Sequence, residues 1–317
     1  MYCIGIDLGG TNIAAGIVSE DGKIILKKSV PTCAEKGGEY IIEAMSKIVL
    51  DLLKEQKITF DDVKSVGIGS PGTIDKKTGT VLYANNLDFN NMPVRDKMIE
   101  YFGTNVDIYI DNDANCAAWA EFVAGAAKGT ENAVMITLGT GVGGGLIING
   151  RLYSGFNYCG AELGHVVIEK NGVPCSCGRE GCWESYSSAT ALIRMTKEKA
   201  EQNKDSLMWE YYNEKGQWSG RTAFLAADKG DKAACEVIDT YIDYLVCGVT
   251  NMINIFMPEV FVIGGGIANE GENLLVPLRE KVSRQVYGNM TGVPQTKIVA
   301  ATTGNDAGII GAALLNE

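Results

Sequence analysis

Two kinds of block alternate along this chain. In one, apolar and β-branched residues run together for a few positions and are cut by glycine; in the other, apolar residues recur every three or four positions. The first pattern predicts strands and the second amphipathic helices. "YCIGID" starting at Tyr2, the break "LGGTN", and "IAAGIVS" predict strand, turn, strand. "EDG" signals another turn and "KIILKKSV" a third strand. Glu39 to Gln56 brings Ile42, Met45, Ile48, Val49, Leu52 and Leu53 onto one helical face. "VKSVGIGSPG" predicts a strand ending in a Gly/Pro turn, and "VDIYID" another strand. "ANCAAWAEFVAGAAKG" predicts an alanine-rich helix ending near Gly129.

The opening pattern then returns. Asn132 to Asn149, "NAVMITLGTGVGGGLIIN", again predicts strand, glycine turn, strand. At an ungapped offset of 130, Asp7-Leu8-Gly9-Gly10 falls on Thr137-Leu138-Gly139-Thr140. Such internal similarity points to two related α/β lobes. Thr190 to Glu236 is expected to be mainly helical, Ile238 to Phe256 an amphipathic helix, and "PEVFVIGGG" a strand running into glycines. Asn273 to Val286 predicts a helix, "TKIVAA" a strand, and Ala307 to Leu315 a final short helix. No low-complexity linker separates the halves, so a loose tether is not expected.

Composition narrows the class. With 46% apolar residues the 317-residue chain can fill substantial cores, and 21% charged residues is ordinary for a globular protein. The formal charge of −11 disfavours nonspecific nucleic-acid binding. The start "MYCIGIDLGG" lacks a secretory signal. The most apolar stretch, Tyr241 to Ile263, is interrupted by Asp243, Asn251, Asn254, Pro258 and Glu259, so no membrane span is expected. Nine cysteines without a signal fit reduced thiols and a cytoplasmic location.

Glycine-rich turns follow three predicted strands: Gly9-Gly10-Thr11, Gly139-Thr140-Gly141 and Gly264-Gly265-Gly266. Taken singly, each is explained by a tight turn. Two matched turns and a third after a buried strand point to phosphate binding, because glycine lets backbone amides approach an anion closely. Thr11, Asn12 and Thr140 add polar side chains. There is no GxxxxGK[ST] sequence, and Gly9-Gly10 leads into a strand rather than the helix a dinucleotide fingerprint requires. Asp7, beside the first turn, either satisfies local amides or faces Mg²⁺ on a polyphosphate. "IDNDANCAAWAE" sets Asp111, Asn112 and Asp113 between a strand and a helix. From this segment alone Asp113 reads first as a helix N-cap or N1 residue; the position also suits a general base for a hydroxyl, since a helix N-terminus keeps a carboxylate charged.

The only histidine, His165, opens the series His165-x9-Cys175-x-Cys177-x4-Cys182. Four such ligands in one glycine-rich segment fit tetrahedral Zn²⁺. A disulfide would strand one thiol and is disfavoured in a reducing compartment. Four protein ligands leave no site for a reactive water, so the zinc is expected to be structural. It would fix the ends of the segment near Glu162 and Glu184. A metal-bound imidazole keeps a second nitrogen, so His165 can hold zinc and also meet a ligand.

"DLGGT" at 7–11, "DNDAN" at 111–115, "LGTGVGGG" at 138–145, "GAELGH" at 160–165 and "CSCGREGCWES" at 175–185 together resemble the ROK family of sugar kinases and repressors, closest to its bacterial glucokinases. The resemblance covers essentially the whole chain in order, and the zinc segment is its most specific part. It implies an α/β, two-lobed actin-like ATPase (ribonuclease H-like) fold with ATP and sugar in the cleft. The lobes are expected at residues 1–112 with 304–317 (small) and 113–303 (large, with the zinc loop 165–182). It implies Asp113 as catalytic base, Asn112, Glu162, His165, Glu184 and Asn86 of "YANNL" as sugar contacts, and Asp113 among them. His165, Cys175, Cys177 and Cys182 are the implied zinc ligands. Gly9, Gly10, Thr11, Asn12, Gly139, Thr140 and Gly141 fall on the phosphate loops, and Gly264, Gly265 and Gly266 on the nucleotide side. The implied reaction is ATP- and Mg²⁺-dependent phosphorylation of glucose at its 6-hydroxyl. Fructose, mannose, N-acetylmannosamine or allose as acceptor, polyphosphate as donor, and a non-catalytic sugar sensor are the alternatives. Family repressors carry an N-terminal winged helix, for which "DLGGT" at residue 7 leaves no room, so no nucleic-acid partner is expected. A homodimer or higher homo-oligomer is implied by resemblance only.

Overall fold

The computed structural model describes residues 1–84, 86–289 and 292–315. Asn85 of "YANNL", Met290 and Thr291 within the expected large lobe, and Asn316 and Glu317 at the end of the expected small lobe lie outside the described residues. In chain order come β1 (Tyr2–Leu8), β2 (Asn12–Ser19), β3 (Ile24–Pro31), α1 (Gly38–Gln56), β4 (Val63–Ser70), β5 (Thr73–Asp75), β6 (Thr80–Ala84) and β7 (Phe89–Met92). Then follow α2 (Val94–Phe102), β8 (Asp107–Asn112), α3 (Asp113–Ala124), β9 (Ala133–Leu138), β10 (Val142–Ile148) and β11 (Arg151–Tyr153). The remainder is α4 (Glu184–Ser187), α5 (Ala189–Gln202), α6 (Met208–Lys215), α7 (Thr222–Ala227), α8 (Lys232–Phe256), β12 (Val260–Gly264), α9 (Glu272–Ser283), β13 (Lys297–Ala300) and α10 (Ala307–Ala313).

The chain divides into two compact units: unit 1 is Met1–Glu131, Gly145–Ala161 and Thr302–Glu317, and unit 2 is Asn132–Gly144 and Glu162–Ala301. Unit 1 therefore holds residues 113–131, 145–161 and 302–303 in addition to the expected small lobe. The packing of α3 accounts for the first two additions: a Cβ on Gly311 of α10 would collide with the Cys116 carbonyl of α3, and one on Gly145 with the Ala118 side chain of α3.

The internal repeat is visible as topology. One sheet has the order β3-β2-β1-β4-β8 and another the order β11-β10-β9-β12-β13, so the second repeats the first strand for strand. β1 runs parallel to β4 and β4 to β8; β9 runs parallel to β12 and β12 to β13. The register carries the repeat to the residue: Asp7 pairs with Gly69 and its offset partner Thr137 pairs with Gly264.

In unit 1, alternation along β1 sorts its side chains. Ile4, Ile6 and Leu8 join the core beneath α1, with Ile41, Met45, Val66 and Ile68. Cys3 packs on the other face with Val18, Ile309 and Ala313. Gly5, on that same face, admits α10: a Cβ there would collide with the Ile309 carbonyl, and one on Gly67 with the Ala312 carbonyl. Asp7 is the next residue on this face.

The α3 helix ends at Ala124, not near Gly129 as the alanine run predicts. Glu121 stops it. Its fully buried carboxylate accepts the Ala126 amide (2.7 Å) and the Thr302 and Thr303 amides (2.9 and 2.7 Å), which turns the chain out of the helix. The small β5-β6-β7 sheet and α2 carried no prediction.

Candidate active site

The C-terminal ends of β1, β4 and β8 lie side by side in unit 1. Gly69 pairs with both Asp7 and Asp111, and Ser70 with Asn112. In an α/β sheet this edge is where ligands bind. The cap question resolves in favour of Asn112. Its Oδ1 accepts the Ala114 and Asn115 amides (2.9 and 3.4 Å), and Asp113 is the first helical residue. Among the described residues the Asp113 carboxylate accepts the Ala114 amide beside it (2.9 Å).

Burial shifts both Asp7 and Asp113 at this edge. Burial, and then the charge of Asp113, push Asp7 up to about 6. Desolvation also raises Asp113 above the usual carboxylate range, against the opposing pull of the Ala114 amide. Beneath them the buried Cys116 thiol is held well above its ordinary value by burial and by Asp111, Asp113 and Asp7. Gly9 and Asn12 close the first glycine turn (Gly9 N–H to Asn12 O, 2.9 Å). Thr32 braces that turn by donating to the Gly9 carbonyl (2.7 Å). Gly10, Thr11 and Asn12 are exposed, and Gly10 lies against Asn86: a Cβ on it would meet the Asn86 Cβ at 3.2 Å.

Unit 2 assembles its own set. The Gly139–Gly141 turn is held by the Ala189 amide on the Gly139 carbonyl (2.8 Å) and the Thr190 hydroxyl on the Thr140 carbonyl (2.8 Å). Gly265 has φ +84°, and a Cβ there would clash with the Leu138 backbone (2.5 Å), so Gly264–Gly266 lies against the strand leading into that turn. Glu184 is more than an end of the cysteine segment. One carboxylate oxygen accepts the Val142 amide (2.9 Å) and the other lies 3.8 Å from the Cys175 Sγ, so it joins the glycine turn to the cysteine cluster. Glu162 caps the short turn Leu163–His165 and accepts the His165 amide on its carbonyl (3.1 Å).

The ligand atoms of His165, Cys175, Cys177 and Cys182 all lie within 4.8 Å of one another. Cys177 Sγ is 3.6 Å from Cys182 Sγ, and Cys175 Sγ is 3.6 Å from His165 Nδ1. Edges of about 3.8 Å follow from tetrahedral zinc with bonds near 2.3 Å, so the set fits the ion. His165 turns Nδ1 inward, which leaves Nε2 for a ligand. Burial pushes the Cys182 thiol up to about 12, whereas the Arg179 amide holds Cys177 below its ordinary value. Asp111 and Lys76, which form an ion pair at the foot of α3, carried no functional reading in the sequence; the lone acid before "ND" was their only signal.

The sequence model of the ROK family matches residues 3–317. The chain belongs to the ROK family. Among its relatives, a glucokinase of Thermotoga maritima is 40% identical over 311 residues, covering 98% of this chain and 95% of that one. A ROK family glucokinase from Streptomyces griseus, solved in complex with glucose and AMPPNP, has a TM-score of 0.83 and 35% identity, covering 99% of this chain and 98% of that one. A ROK hexokinase from Thermus thermophilus has a TM-score of 0.82 and 31% identity, covering 99% and 97%. The α/β architecture with mixed sheets is thus that of ROK sugar kinases. Among the described residues no helix is long and apolar enough to cross a membrane.

Proposed function

We propose that this ROK protein transfers the γ-phosphoryl group of ATP to the 6-hydroxyl of glucose. The observation that carries the reading is Asp113: a carboxylate at the first position of α3, at the C-terminal edge of the parallel strands β1, β4 and β8, with no ion-pair partner among the described residues. Its raised proton affinity suits a group that must accept a hydroxyl proton. The full-length likeness to glucokinases supports the choice of substrates.

In this reading Asp113 takes the proton from the 6-hydroxyl as the oxygen attacks the γ-phosphorus. The bond from that phosphorus to the bridging oxygen breaks, and ADP leaves with the electron pair. Glycine-turn amides and the Thr11 and Thr140 hydroxyls hold the phosphates, with Asn12 beside them, and Gly264–Gly266 meets the nucleotide. Asn86, Asn112, Glu162, His165 and Glu184 meet sugar hydroxyls. Mg²⁺, when bound, would neutralise phosphate charge, and Asp7 would be the carboxylate that faces it, since a nearby cation would restore its ionised form. The Cys/His set would hold structural zinc, which fixes the loop without entering the reaction.

A coupled ADP-release assay over a panel of hexoses tests the reading. Glucose should stimulate release most, with ATP as donor. Asp113→Asn should lower kcat by about 10²-fold or more with glucose binding retained. Near-normal turnover in that variant would overturn the assignment.

A further inference from the structure

Asp111 is buried at 2% exposure, one residue before Asn112 and two before Asp113. Its Oδ1 accepts the Asn112 amide (2.7 Å) and the Asn115 side-chain amide (2.9 Å), so one atom ties the β8–α3 junction to the first turn of α3. Its Oδ2 pairs with the Lys76 ammonium. Lys76 is itself held. Arg95 of α2 donates to the Lys76 carbonyl (2.8 Å), the Lys77 carbonyl (3.0 Å) and the Ile108 carbonyl of β8 (3.0 Å). The turn that carries the cation is thereby pinned to the strand that carries Asp111, and the ammonium lies 6.0 Å from the Tyr158 ring centroid. The pair also walls a cavity of about 770 Å³ in unit 1, lined besides by Arg95, Tyr109, Tyr153 and Tyr158.

We propose that Lys76 is a positioning residue for Asp113, acting through Asp111. The ammonium fixes the Asp111 carboxylate in one orientation. That carboxylate fixes the backbone of Asn112 and the first turn of α3, and the first turn aims the Asp113 carboxylate. At the matching place after β13 the repeat carries Ala301, whose side chain cannot form an ion pair. The inference rests on the assignment of Asp113 as base.

Lys76→Met, Lys76→Arg, Asp111→Asn and the Lys76→Met/Asp111→Asn double variant test it, each assayed well below its own melting temperature. Lys76→Met should lower kcat by about 10²-fold, the cost of misplacing a reacting group by roughly an ångström. The KM for ATP should stay within about threefold, because no phosphate-facing group is touched. Lys76→Arg should recover most of the rate, since a guanidinium can serve the same carboxylate. The double variant buries no lone charge and should fold; its kcat should be no lower than either single variant, because both act through one path. Hydrogen exchange at the Asn112–Cys116 amides should quicken in Lys76→Met while other segments are unchanged. A wild-type kcat in folded Lys76→Met, beside an inactive Asp113→Asn, would overturn the positioning role. Losses that multiply in the double variant would do so as well. Turnover that ignores Asp113→Asn would instead remove the proposed base, and unchanged exchange at Asn112–Cys116 would then remove the positioning role on its own.

Discussion

Asp7 shows how a residue suited to a ligand can cost the unliganded fold stability. Its carboxylate stands at about 6 in the folded chain against 3.8 in its ordinary state, chiefly through burial and then through Asp113. The folded form thus holds its proton more tightly than the unfolded chain. The resulting stability is fully present below about pH 4 and is lost as pH rises through about 6. The shift corresponds to on the order of 2 kcal/mol above pH 7, after allowance for its partial exposure. Asp7→Asn should therefore raise the melting temperature at pH 8 and leave it unchanged at pH 4, while abolishing turnover if Asp7 faces the metal–phosphate group. Thermal melts at the two pH values decide this; an equal shift at both would show that titration of Asp7 is not the cause.

At the level of elements, the segment from Gly164 to Ser185 was legible because the histidine and three cysteines of the cluster lie within one short stretch, where spacing alone limits geometry. The sequence could not show what Glu184 holds. Its grip on the Val142 amide joins residues 42 apart in the chain, and no local pattern reports that. The β5-β6-β7 sheet escaped notice for a different reason: strands of three to five residues are too short for an alternation to stand out. Asp113 was legible as either cap or base, and the backbone gives the capping role to Asn112. The cluster makes a prediction at this scale. Elemental analysis of reduced, carefully purified protein should find about one zinc per chain. Cys177→Ser should lose it, and exchange of the amides from Val166 to Trp183 should then accelerate, because a thiol buried like Cys182 is left without the ion that displaces its proton. Full protection of that loop after the metal is stripped would show that its backbone bonds suffice.

At the scale of the whole molecule, the repeat was readable from a few glycine-bearing residues, whereas the return of the last stretch to the first lobe was expected only from the family resemblance. Unit 1 is built from three stretches, and the last arrives only at Thr302. That stretch supplies two things the rest of unit 1 lacks. The α10 helix covers the face of the first sheet through Ile309 and Ala313, at the bare glycines Gly5 and Gly67. Thr302 and Thr303 give the buried Glu121 carboxylate four of its hydrogen bonds. Losing the apolar contacts costs about 1.5–3 kcal/mol per large side chain. Leaving a buried carboxylate short of donors adds a penalty of at least about 1–3 kcal/mol. Together these approach the roughly 5–15 kcal/mol that holds an ordinary domain folded. A chain truncated after Ala301 should therefore lose hydrogen-exchange protection in β1, β2 and β4. A synthetic peptide of residues 302–317 added in trans should restore it in a concentration-dependent way. Protection of β1 and β4 in the truncated chain at wild-type levels would mean that the first sheet closes its core without α10.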